Sequence, residues 1–317
     1  MTPLLHVKNL SKRYRTSGGL LGIRTGAVHA LTDVNLTLNK GETLGLVGES
    51  GCGKTTLAKC IMGLEKPSSG SIIFKGKLLE QWNSKSLRRN MQLIFQDPYS
   101  SLNPRQRVGK AIREMLDIHN LGTRKQKNQK VCELLDLVGL SPEHADRYPH
   151  EFSGGQRQRI AVARALALDP ELVVCDEPVS ALDVSVQAQV LGLLETLQKS
   201  LELTYIFISH DLSVVDHISD RVAVMYLGRI VELAATDSLF TSPQHPYTKA
   251  LLSAVLPPNP HKKSERIPLK GDLPSPTAPP QGCPFHPRCP EAIAKCCVQL
   301  PPLKKNGTSE LVSCWLS

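Results

Sequence analysis

The sequence runs to 317 residues, 41% hydrophobic, 21% charged and only 4% aromatic, with a formal net charge of +9. This length and composition fit one large globular domain with an appendage, and exclude a fibrous or low-complexity chain. No run reaches the roughly 18–20 apolar residues of a spanning helix, and Met1 to Arg15 lacks the apolar core of a secretory leader, so a cytosolic chain with reduced thiols is expected.

Taken in order, Glu42 to Gly48 is a short apolar run ending in glycine and reads as a buried strand, and Lys54 to Leu64 continues as a helix. From Arg107 to Leu140 the pattern is helical only, with Val131, Leu134, Leu135 and Val138 repeating at helical spacing. The apolar runs Leu172 to Cys175 and Tyr205 to Ser209 read as further buried strands. Between them a helix presents Val190, Leu194, Leu197 and Leu201 on one face. Continuous apolar strands alternating with amphipathic helices predict an α/β fold with a parallel-sheet core, in which function collects at the carboxyl ends of the strands. Arg221 to Tyr226 and Arg229 to Leu233 predict a hairpin turning at Leu227-Gly228. Prolines then dominate (Pro257, Pro258, Pro260, Pro274, Pro276, Pro279, Pro280) and mark a linker before a cysteine-rich tail. The positive charge points to an anionic partner (nucleic acid, nucleotide or a membrane surface) or to a plain basic surface.

Gly48-Glu49-Ser50-Gly51-Cys52-Gly53-Lys54-Thr55 matches the P-loop pattern in full, between a predicted strand and a predicted helix. Such glycines let backbone N–H groups turn around phosphate oxygens, and the helix N-terminus adds positive potential. Lys54 is the candidate for the β- and γ-phosphates and the Thr55 hydroxyl for Mg²⁺, and Thr56 completes the candidate ATP contacts. Asp176, ending an apolar strand, is placed to hold Mg²⁺. Glu177, next to it, can polarise a water for attack on a phosphoryl group.

The segment Phe152-Ser153-Gly154-Gly155-Gln156 and on to Arg164 resembles the signature motif of ABC ATPases, with Phe at the usual leading Leu. Ser153 and the amides after it make a second anion site at a helix start. The resemblance implies that Ser153, Gly154, Gly155 and Gln156 act in trans, on ATP held by an opposing cassette. It further implies a Q-loop glutamine at Gln96 that senses Mg²⁺, a D-loop ending at Asp183, and a switch histidine at His210 that contacts the γ-phosphate. Tyr14 is its candidate for stacking on adenine, although a glycine-rich insertion, Thr16 to Ala27, separates it from the next strand. The implied fold is a P-loop NTPase with an N-terminal antiparallel β part, occupying residues 1–250 with a helical subdomain inserted at about 98–162. Residues 251–317 form the proline-rich linker and cysteine-rich extension.

Phe95 to Arg105, His245 to Leu252, Gly271 to Pro276 and Gly282 to Cys289 are similar to segments of dipeptide, oligopeptide and nickel importer ATPases, and most like the second ATPase of a dipeptide importer. That resemblance implies a paralogous ATPase subunit, two permease subunits and a solute-binding protein as partners, with the chain held peripherally at the cytoplasmic face of the inner membrane. Oligopeptides, antimicrobial peptides, nickel and haem stay open as cargoes. Nucleic acid is not an expected partner, because soluble ABC proteins acting on DNA or ribosomes carry paired cassettes or a coiled-coil insertion. Cys283, Cys289, Cys296 and Cys314 are spaced as in members of this family that hold a [4Fe–4S] cluster, for which four thiolates are the usual ligand set. The adjacency of Cys297 to Cys296 leaves the third ligand open between them. Zinc or four unliganded thiols are the alternatives, although the gaps lack the close Cys pair of a zinc knuckle.

Overall fold

The computed structural model describes residues 2–17, 24–97, 102–254, 267–269, 271–306 and 310–317. It divides into two units: Met1–Leu38 with Thr43–Leu79 and Ser209–Ser317, and Asn39–Glu42 with Glu80–Ile208.

In the first unit an antiparallel sheet has the strand order Arg24–Leu38, Leu5–Ser17, Ser69–Phe74, Lys77–Leu78. Leu5 is paired with Leu38 on one side and with Phe74 on the other, and all three side chains are buried. The alternating pattern of Leu5, Val7 and Leu10 slips at a bulge, which keeps Leu10 inside. Pairing continues into the arms of the glycine-rich insertion, Thr16 facing Gly26 and Ser17 facing Arg24. The insertion therefore extends the two strands instead of separating them, because each arm can still satisfy its backbone across the pair. Its residues 18–23 lie outside the described residues.

Five-residue Thr43–Val47 is buried throughout and runs parallel to Arg221–Tyr226, with Val47 opposite Val224. The expected hairpin is present, with Arg229–Ala235 antiparallel to Arg221–Tyr226. Its turn places Leu227 and Gly228 at φ 43° and 74°, the left-handed pair that suits the twist of a two-residue hairpin. The tail adds to this sheet, since Glu310–Val312 pairs with Arg229–Ala235 and Lys304–Asn306 pairs with Glu310–Val312.

The second unit carries three parallel strands, Met91–Ile94, Leu172–Asp176 and Thr204–Ile208, with Leu172 between Met91 and Thr204. The parallel core read from the apolar runs is thus present.

Two helix readings change and a third gains detail. The helix after the P-loop is Lys54–Ile61, shorter than expected, because Gly63 turns left-handed and its N–H closes on Cys60 O. The stretch 107–140, read as helical only, is helical and is divided into two helices, Val108–Ile118 and Arg124–Leu137. Asn120 and Gly122 adopt positive φ between them, and Thr123 with Gln126 forms a capping box that starts the second. Val131, Leu134, Leu135 and Val138 are buried as the periodicity required. On Val184–Leu201, Val190, Leu194 and Leu197 are buried but Leu201 is 45% exposed, for the helix ends there. Of the prolines assigned to the linker, Pro257, Pro258 and Pro260 fall outside the described residues.

Candidate functional site

The loop Gly48 to Gly53 joins the buried strand Thr43–Val47 to the helix Lys54–Ile61. Gly53 is the helix N-cap at φ 109°, without a side-chain cap, so no capping side chain competes with an anion for the first turn of the helix. Only glycine suits this position, because a Cβ would stand 2.5 Å from Ala30 O. Lys54 is buried, and its Nζ donates to Gly48 O at 2.7 Å and Glu49 O at 3.2 Å. The lysine is thereby folded along its own loop, its charge held where phosphate oxygens would replace the two carbonyls as acceptors. The Cys52 thiol is pushed up by burial, with Lys54 beside it working the other way. Thr55 and Ser50 are exposed at the loop surface and Thr56 is half-buried.

Groups from far along the chain secure this loop. Gly228 N–H donates to Cys52 O at 2.8 Å. Glu49 N–H donates to the hydroxyl of Tyr247 at 3.0 Å, and the Glu49 carboxylate receives both Nη atoms of Arg288, at 2.7 and 3.1 Å. Tyr247 stands edge-on to Tyr226 with ring centroids 4.7 Å apart, and Phe285 packs on both rings. Neither Arg288 nor Tyr247 is marked by local sequence signals as a loop contact. Tyr247 sits within the His245 to Leu252 segment, but its hydroxyl's partner is 198 residues away.

Tyr14 is half-buried, with Lys12 Nζ 4.8 Å from its ring centroid, so a cation already attends its π-face. His210 follows the strand end, exposed, with Ser209 N–H donating to Leu46 O and Asp211 capping the helix Leu212–Ile218 through Ser213 N–H at 2.9 Å.

In the second unit the strand Leu172–Asp176 delivers Asp176 and then Glu177, whose φ of 50° is left-handed. A non-glycine residue in that region is uncommon and is held by its surroundings. Here Glu177 N–H donates to Ile208 O at 3.0 Å. Gln96 Nε2 donates to Glu177 Oε2 at 3.1 Å and reaches Ser180 Oγ at 3.4 Å, and Ser180 Oγ donates back to Glu177 O at 3.0 Å. The structure thus brings Gln96 and Glu177 together and adds Ser180. Phe95, beside Gln96, is 47% exposed, and positions 98–101 of the Phe95 to Arg105 segment lie outside the described residues. Asp183 is the N-cap residue of Val184–Leu201, but its side chain makes no cap hydrogen bond.

Ser153 opens the helix Gly154–Leu166 in a reciprocal box, its Oγ accepting Gln156 N–H at 3.3 Å and Gln156 Oε1 accepting Ser153 N–H at 3.0 Å. Gly155 is required for close approach, since a Cβ would lie 2.3 Å from Val186 Cγ1.

In the tail, Cys283, Cys289, Cys296 and Cys314 line one pocket together with Phe285 and Trp315. Cys296 is buried there, whereas Cys297 is exposed. Burial pushes the Cys283 thiol up to about 11, and the Cys289 thiol is raised by burial with Cys314 and Cys296 adding to it. Among the described residues no group of three or more His, Cys, Asp or Glu side chains converges as a single-ion site. No described helix is long and apolar enough to cross a membrane.

Comparison with known proteins matches residues 31–180 to the ABC transporter family model and residues 231–296 to the oligopeptide/dipeptide transporter C-terminal region. The chain is 53% identical to the oligopeptide transport ATP-binding protein AppF of Bacillus subtilis, covering 99% of this chain and 97% of that protein. It is 51% identical to the dipeptide transport ATP-binding protein DppF of Haemophilus influenzae, again covering 99% and 97%. Among solved structures it is similar to cbiO1 of Clostridium perfringens, part of the cbiONQ transporter complex (TM-score 0.66, 29% identity, 76% of this chain and 92% of that one). It is also similar to the ATP-binding cassette MJ0796 in a post-hydrolysis state bound to ADP and Pi (TM-score 0.64, 26% identity, 73% and 98%).

Proposed function

The chain belongs to the ATP-binding proteins of the oligopeptide/dipeptide ABC transporters, and from that premise we propose how its residues couple ATP hydrolysis to peptide import, with dipeptides as the cargo class. The phosphates of ATP lie on the Gly48 to Thr56 loop, with Lys54 moving from its carbonyl partners to the β- and γ-oxygens, and Tyr14 against adenine. The Thr55 hydroxyl, Asp176 and Gln96 form the donor set for Mg²⁺, all oxygen groups of the kind that hard cation takes. The ion supplies neutralisation of phosphate charge.

Glu177 accepts a proton from the attacking water as its oxygen bonds to the γ-phosphorus and the bond to the β-bridging oxygen breaks. His210 donates to the γ-phosphate oxygens. Ser153, Gly154, Gly155 and Gln156 complete the phosphate shell of the ATP on a paralogous ATPase subunit, and Asp183 crosses to that subunit. ATP favours the closed pair only because both halves of each site then contact it. The exposed Phe95 beside Gln96 supports a face turned to the two permease subunits, which receive cargo from a solute-binding protein and hold the chain at the cytoplasmic face of the inner membrane. The same reading treats residues 1–250 as the ATPase domain, with a helical subdomain at about 98–162, and residues 251–317 as its extension.

The observation that carries the catalytic reading is Glu177, held left-handed at a strand end with Gln96 on its carboxylate. Glu177→Gln keeps the shape and the Gln96 contact but removes the base. ATP binding should persist while turnover falls at least about 100-fold. A variant that turned over ATP at the normal rate would sink the assignment of Glu177 as the base.

The four tail thiols are the proposed ligands of a [4Fe–4S] cluster, supported by their sharing one pocket. In a cluster each thiolate takes a different iron, so convergence on one point is not required. Anaerobic purification with absorption at about 400 nm and an iron assay tests it. A colourless, iron-free protein overturns it.

A further inference from the structure

The P-loop of this chain is gripped by its C-terminal extension. Arg288, which immediately precedes Cys289, is 9% exposed, and its two terminal nitrogens take the two carboxylate oxygens of Glu49 at 2.7 and 3.1 Å. This is the two-pronged arrangement that guanidinium offers and ammonium does not. Glu49 is the second residue of the phosphate loop, and its amide is tied separately to the Tyr247 hydroxyl. The carbonyls of Glu49 and of Gly48 are the present partners of Lys54 Nζ. A continuous chain of contacts therefore runs from the cysteine-lined tail, through Arg288 and Glu49, to the lysine that meets phosphate.

Two consequences follow from elementary electrostatics. A bare carboxylate on the loop would repel an incoming triphosphate, and the guanidinium cancels that charge at contact distance. The fork also fixes the direction of the Glu49 side chain, and with it the peptide that carries one of the Lys54 acceptors.

We infer that Arg288 is a positioning residue for ATP: through its fork on Glu49, the C-terminal extension sets the charge and shape of the phosphate loop. The inference rests on the reading of Gly48 to Thr56 as the ATP site.

The test is ATP affinity (a fluorescent ATP analogue) and the kcat and KM of ATPase activity, measured on the assembled transporter for Arg288→Ala, Arg288→Lys, Glu49→Gln and the double variant, with thermal stability recorded alongside. Arg288→Ala should raise the KM for ATP about tenfold, the loss expected for one charge-assisted interaction, with kcat changed less than about twofold. Arg288→Lys should recover part of the affinity, since it restores charge without the fork. The double variant should bind ATP more tightly than Arg288→Ala, because the uncompensated anion has gone. An unchanged KM with lowered thermal stability in Arg288→Ala and Arg288→Lys would reduce the pair to a structural staple and overturn the inference. So would a double variant no better than Arg288→Ala. Lys54→Ala, run in parallel, separates the premises: if it binds ATP normally, the reading of the loop as the ATP site has failed instead.

Discussion

The phosphate loop and the acidic turn at Asp176-Glu177 begin alike and are secured differently. Each follows a short strand whose apolar residues are buried, and each relies on a left-handed residue, Gly53 in one and Glu177 in the other. The loop is tied by Gly228, Tyr247 and Arg288, all supplied by later parts of the chain. The turn is tied by neutral groups: Gln96 Nε2 donates to the Glu177 carboxylate, Ser180 Oγ to the Glu177 carbonyl, and the Ile208 carbonyl accepts Glu177 N–H. A loop that must present several N–H groups at once benefits from rigid, charged and aromatic support. On the proposed mechanism the Glu177 carboxylate hands its hydrogen bond from glutamine to water, and such a group needs partners that can be exchanged at low cost. Fixity and exchangeability are thus divided between the two strand ends.

The contrast can be broken by substitution, and the largest effect should come from the loop. Gly53→Ala forces an alanine to φ 109° with its Cβ 2.5 Å from Ala30 O. We expect a stability loss of about 3 kcal/mol, combining backbone strain and overpacking, together with loss of ATP binding. Chemical denaturation and nucleotide titration check both, and a near-normal Ala variant would show that the loop is softer than its contacts indicate.

The remote support should also be pH-sensitive. His245 caps the helix Pro246–Ser253 by accepting Tyr247 N–H at 3.1 Å, and burial drives its proton affinity down to about 3. The unfolded imidazole titrates at about 6.5, so this contribution is complete above that pH. It is lost as pH falls from there toward 3, at about 1.4 kcal/mol per unit. His245→Asn keeps a capping oxygen without the titration and should flatten that slope in denaturation series between pH 6.5 and 5. Glu232, whose carboxylate accepts His245 N–H and is raised by burial, titrates in both proteins and cancels in the difference. Equal slopes in the two proteins would remove His245 as the source.

The smallest effect on stability belongs to the turn. Ser180→Ala removes one hydroxyl that contacts both Gln96 and Glu177, and should cost less than about 1 kcal/mol. Turnover should nonetheless fall severalfold, because Gln96 loses an alternative partner. A stability loss as large as that of Gly53→Ala would erase the distinction between the two regions.

Much of this was legible in the residues. Glycine spacing and an apolar run announce the phosphate loop, and the strands Leu172–Asp176 and Thr204–Ile208 fall within a residue of the runs that predict them. The split at Asn120 to Gly122 was also written, in Gly122 and the Thr123/Gln126 box, but the Val and Leu repeat outweighed it. Leu201 reads as inward from its spacing alone, since periodicity does not show where a helix leaves its partner. The Arg288–Glu49 pair was not legible at all. Its members are 239 residues apart, and a single Arg in a proline- and cysteine-rich segment carries no local signal of the carboxylate it will meet.

The pairing of Glu310–Val312 with Arg229–Ala235 has a consequence for synthesis. The hairpin strand, buried along most of its length, leaves the ribosome long before the segment that covers its open side. Until that segment arrives, an apolar strand presents unpaired N–H and C=O groups to solvent, the condition that invites association between chains. The tail therefore acts late in biogenesis as a closing strip, and nascent chains cut short within it would expose a ready template for aggregation.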